Sequence, residues 1–140
     1  MRTTFCLMIL SALPLRAAGG AVIVNSGSTN TEGFRIVVEQ SGKAVYTPTL
    51  RKSGPGADTN AKSRSLNLPQ ALVKRLYSDL DAGKPLAELP GGHCMKSASF
   101  GSSLTIEFAG EKTPDLSCPD HGNPRLQVLI KDANEIVKLF

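Results

Sequence analysis

Residues 34–47 read FRIVVEQSGKAVYT, and the reading of this stretch decides the fold. Phe34, Ile36 and Val38 alternate with Arg35 and Glu39, the period-two pattern of a strand with one buried face. Ser41-Gly42 is read as a two-residue turn, with glycine supplying the positive φ that a tight hairpin requires. Lys43 to Thr47 then returns as the partner strand, with Val38 opposite Val45 and Val37 opposite Tyr46. A hairpin is antiparallel, so the sheet it seeds is not the doubly wound parallel kind, which needs a crossover helix after each strand.

Working outward, the nine residues Asn25 to Gly33 (NSGSTNTEG) hold no apolar side chain. Their glycine and hydroxyls resemble a phosphate cradle, but a strand follows where a P-loop requires Gly-Lys-Ser/Thr and a helix. Turn chemistry reads the stretch as a connection from a short strand over Ala21 to Val24, with Ser28, Thr29 and Asn30 as candidate binding-loop residues. Downstream, Leu50 to Ser65 is polar, basic and rich in Gly and Ser, a long surface loop carrying Arg51 and Lys52.

Leu68, Leu72, Val73, Leu76 and Leu80 line one stripe of a helix over Leu68 to Leu80, with Asn67 as its N-cap and Gly83 and Pro85 ending it. A second hairpin is expected from Lys96 to Phe100 and Leu104 to Phe108, turning at Gly101-Ser102-Ser103. Asn123-Pro124 starts the last helix, whose stripe is Leu126, Leu129, Ile130, Ala133, Ile136, Val137 and Phe140. The resulting fold class is α+β: two layers, with antiparallel β-hairpins packed against two helices.

The first residues are a targeting segment. Arg2 gives a positive start, FCLMILSALPL (residues 5–15) a short apolar run, and Ala17-Ala18-Gly19 a small-residue cleavage site. Pro14 and Arg16 stop that run short of the ~20 apolar residues of a membrane span. Residues 1–19 are therefore a signal peptide and residues 20–140 a single exported α+β domain, periplasmic or extracellular. No membrane span is expected in the mature chain.

Removal of the leader takes Cys6 with it and leaves Cys94 and Cys118 as a pair, which an oxidising compartment joins. Such a bridge closes about 24 residues and contributes ~3.5 kcal/mol on a chain-entropy basis. Loss of Arg2 and Arg16 lowers the net charge from +4 to +2. With neither clustered positive charge nor any tryptophan, nucleic-acid binding is not expected.

Candidate chemistry gathers around Gly-Gly-His93-Cys94 and Cys118-Pro-Asp-His121. Two Cys and two His make a zinc reading possible in composition, but adjacent His93 and Cys94 suit one tetrahedral ion poorly, and export favours the disulfide. No metal and no cofactor is expected. His93 and His121, the only histidines, would supply any general base near neutral pH. Ser97, Ser99, Ser102 or Ser117 with Asp115 or Asp120 could be written into a triad, yet no G-x-S-x-G elbow occurs. The carboxylate pairs Asp79/Asp81 and Glu107/Glu111 have no spacing that forces a shared site.

These observations imply a small exported, disulfide-tied binding domain without catalysis, facing a protein or cell-envelope partner. One alternative is a protease inhibitor that offers the basic loop 51–65 to a trypsin-like enzyme. Another is an exported hydrolase using His93 or His121.

Overall fold

The structure, a computed structural model, describes residues 19–49, 62–97 and 99–140. The expected leader, apart from Gly19, lies outside the described residues, as do Arg51 and Lys52 of the basic loop.

The chain is α+β, with one antiparallel six-stranded sheet and two helices. Its strands are β1 (Ala21–Asn25), β2 (Gly33–Val38), β3 (Lys43–Thr49), β4 (Arg64–Asn67), β5 (Leu104–Phe108) and β6 (Glu111–Lys112). They lie in the order β4-β3-β2-β1-β5-β6. The helices are α1 (Gln70–Gly83) and α2 (Pro124–Val137), and a short 3-10 turn covers Leu86–Glu88.

The deciding hairpin forms, but its register differs from the expected one by a residue. Val38 pairs with Ala44, Val37 with Val45 and Ile36 with Tyr46. The turn spans four residues, not two: Glu39 N donates to Lys43 O and Gly42 N to Glu39 O. Because side chains alternate, this slip places Ala44 on the buried face and leaves Val45 on the other.

Strand β4 falls where a loop and an N-cap were expected. Arg64 to Asn67 pairs with Tyr46 to Lys43 as an edge strand. It carries one apolar residue, Leu66, so alternation could not reveal it. Arg64 stacks over the Tyr46 ring and donates to the Phe140 carbonyl, which ties this edge to the C-terminus. With Asn67 in the strand, Pro69 takes the N-cap position of α1 and no side chain caps the helix.

The second hairpin is the main correction. Among the described residues of the expected first arm, Lys96, Ser97, Ser99 and Phe100 lie in no strand. β5 pairs with β1 on one side and with the two-residue β6 on the other. Ala109 and Gly110, both at positive φ, make the turn between β5 and β6. In contrast, α2 starts as expected: Asn123 Oδ1 accepts from Arg125 N and Leu126 N, with Pro124 at the first helical position.

The core joins one face of the sheet to the facing stripes of both helices. Ile23, Ile36, Val38, Ala44, Leu104 and Ile106 pack with Leu72, Val73, Leu76 and Leu80 of α1 and with Leu126, Leu129, Ala133 and Ile136 of α2. Between the helices, the buried Asp132 accepts from Arg75 Nε at 2.6 Å, and Glu135 also meets that guanidinium.

Candidate functional site

At one end of β1, two irregular segments meet. Asn25 ends the strand, and the 25–33 loop folds against residues 99–103. Ser26 N donates to Ser103 O, and Ser103 N donates back to Ser26 Oγ. Ser28 Oγ and Asn30 N both donate to the Ser99 carbonyl. The polar stretch read from sequence as a connection is therefore also a brace for the segment that follows Cys94. Its own turn depends on Gly27, at φ +64°, where a Cβ would approach Gly33 N to 2.5 Å.

Residues 93–97 and 99–103, the described parts of that second segment, form an arch. Its near root is Gly91-Gly92: Gly91 bridges to Pro119, and Gly92 N donates to Cys118 O at 3.0 Å. A Cβ on Gly92 would sit 2.4 Å from the Cys118 carbonyl oxygen, so the close approach requires glycine. Cys94 is joined to Cys118 by a disulfide, with their Cα atoms 5.8 Å apart.

The far root is polar. Lys96 Nζ donates to Ser102 O, Ser117 Oγ and the Asp115 carboxylate. Asp115 Oδ1 in turn accepts from Leu104 N, Ser117 N and Ser117 Oγ. Burial would raise the Asp115 carboxyl, but the donors Lys96, Ser117 and the two backbone amides outweigh it and hold it below the ordinary carboxylate range.

Between these roots the chain runs exposed from His93 to Ser97 without a turn or bend. Among the described residues, the backbone groups of His93 to Lys96 make no hydrogen bond. Met95 projects fully into solvent, at 103% of its reference accessibility, and Phe100 is 69% exposed. Beside the arch lies a shallow groove of about 520 Å³, with His93, Met95, Lys96 and Asp115 among its walls.

The structure thus brings Ser28, Asn30, Cys94 and Cys118 to one end of the sheet, with His93 on the arch. It does not build the triad geometry. Ser117 Oγ meets Asp115, Lys96 and Ser102 O, and neither His93 nor His121 hydrogen-bonds another described residue. Among the described residues no three His, Cys, Asp or Glu side chains cluster as a metal site. The carboxylate pairs separate: Glu107 meets Arg35, Glu111 accepts from Leu86 N, and Asp81 meets Lys84.

Met95, Lys96 and Phe100 were not among the residues singled out from sequence. Their one signal is negative: Met95 lies just before the strand read over Lys96 to Phe100, and its odd spacing of five from Phe100 would put the two on opposite faces of any strand.

At the opposite end of β1 a cavity of about 640 Å³ is bordered by Glu39, Tyr77, Asp81, Lys84 and Phe108. Several of its polar groups are already engaged. Tyr77 donates to Val38 O and accepts from Ala21 N, while Lys84 Nζ pairs with Asp81 and lies 4.8 Å from the Phe108 ring centroid. These contacts close the sheet onto α1, so the arch is the end that presents free groups outward. The chain matches no protein-family model and no curated protein sequence.

Proposed function

We propose that this chain is a small exported, disulfide-tied binding domain that acts without catalysis on a protein partner. Its leader is removed after Gly19, and the mature chain works in the periplasm or outside the cell. The observation that supports this reading best is the arch. A cross-linked segment holds two large apolar side chains in solvent, whereas only Val128 and Leu139 do so elsewhere among the described residues. Exposed apolar groups that the fold holds in place are what a binding interface uses as anchors. Oxidised Cys94 and Cys118 accord with export.

The test places a photo-cross-linking residue at Ser97, and at Val128 as a control, in the chain expressed in its native cell. A discrete protein adduct from position 97 that is absent from 128 is expected. Equal, scattered adducts from both positions would reject the arch as the binding edge. N-terminal sequencing of the native protein should begin at Gly20, and a start at Met1 would reject export.

A further inference from the structure

Resting on that reading, we propose that residues 93–97 are a substrate-like loop offered to an exported protease, with Met95 entering a pocket for large apolar side chains. The first argument is the backbone. An exposed, unbent segment whose N–H and C=O groups from His93 to Lys96 make no hydrogen bond among the described residues suits a cleft that binds peptides by strand addition, as protease clefts do. The second is the choice of side chain. Lys96 is tied by its Nζ to Asp115, Ser117 and Ser102 O, so it is not free to enter a trypsin-like pocket. Met95, fully exposed to solvent, is.

The third argument is the anchoring. The residues on either side of Met95 are fastened to the same short stretch, Cys94 through the disulfide to Cys118 and Lys96 through its ammonium to Asp115 and Ser117. Consider attack by a protease nucleophile on the Met95 carbonyl. An acyl bond forms, the Met95–Lys96 bond breaks, and the proton from the nucleophile passes to the Lys96 nitrogen. In an ordinary substrate that amine diffuses away and water completes hydrolysis. Here it stays in place, able to attack the acyl carbonyl, restore the peptide bond and return the proton to the departing nucleophile. The arch therefore occupies the cleft instead of being consumed, and its ordering cost is already met by the fold.

The probes are chymotrypsin, whose specificity pocket is an apolar slot, and subtilisin, each assayed on a small chromogenic peptide. The mature protein in excess is expected to inhibit at least one competitively while remaining intact. Met95→Asp, at a solvent-exposed position, should weaken inhibition by roughly 30-fold or more, the loss typical of a central anchor. Lys96→Ala, or reduction of the disulfide, should convert inhibitor into substrate, with the cut mapped by mass spectrometry to the 95–96 bond.

Full activity of both enzymes in excess protein would overturn the proposal. So would cleavage of the oxidised protein as fast as the reduced one, or undiminished inhibition by Met95→Asp. If inhibition fails while the position-97 adduct persists, the protease assignment falls and the binding edge stands. Loss of both removes both.

Discussion

Two aspartates show that this molecule is held together in two different ways. Asp132 lies wholly buried between α1 and α2, where Arg75 satisfies one carboxylate oxygen and the other, Oδ2, has no hydrogen-bond partner among the described residues. Burial pushes its carboxyl above the ordinary range, with Arg75 opposing and nearby Asp79 adding to the rise. Asp115 at the arch is less buried and far better served, and its carboxyl is held low. The helix layer thus tolerates a polar group that the surrounding apolar packing keeps in place. The arch has little packing and depends on its polar and covalent ties. Damage to one should leave the other largely intact.

The largest effect is expected in the apolar layer. Leu80→Ala removes a fully buried side chain and should cost roughly 4 kcal/mol of global stability, read from urea unfolding. Protease inhibition at low temperature should persist as long as the protein is folded. Next, Cys94→Ala/Cys118→Ala should cost ~3.5 kcal/mol. Unlike Leu80→Ala, it should abolish inhibition even in folded protein.

A smaller and more local loss is expected for Asp115→Ala, about 2 kcal/mol for charge-assisted hydrogen bonds left unmade. Amide exchange should then rise at Leu104 and Ser117 while the helix amides keep their protection.

The pH dependence sharpens the contrast, because the two shifts have opposite signs. Asp132 has a raised folded-state value, so the folded chain binds more protons than the unfolded one just above the ordinary carboxylate range. Its contribution is full below about pH 4 and declines as pH rises through the raised value. Asp132→Asn should flatten that slope in urea midpoints. Asp115 is depressed, so its contribution is full above about pH 4 and is lost as pH falls through the lowered value. In an NMR titration the arch resonances should therefore shift in acid while the helix interface holds. The smallest change is expected for Arg35→Ala, below about 0.5 kcal/mol, since its pair with Glu107 is well exposed on the sheet.

How much of this was legible depended on periodicity. Both helices could be read because Leu72, Val73, Leu76 and Leu80, and Leu126, Leu129, Ala133 and Ile136, repeat at helical spacing over several turns. Asn123-Pro124 marked a start through local chemistry alone. β4 was not legible, since an edge strand with a single apolar residue has no pattern. Lys96 to Phe100 reads as a strand in the sequence because its residues are compatible with one. What keeps Lys96, Ser97, Ser99 and Phe100 out of the sheet is that β1 and β6 take the two sides of β5. The register of β2 and β3 was missed by one residue because the turn takes in Glu39 and Gln40. Cys94 and Cys118 were legible as a pair, whereas Met95 and Phe100 between them belonged to no period.

By itself, the sequence determined the α+β class, both amphipathic helices, the first hairpin and the pairing of two cysteines, because each follows from side-chain spacing within a short window or from a simple count. Only the tertiary structure decided that β5 pairs with β1, that the 25–33 loop braces Ser99 and Ser103, and that Cys94 and Lys96 are tied to one stretch with Met95 between them. These contacts join residues far apart in the chain, and no local pattern records which distant backbone a segment will meet.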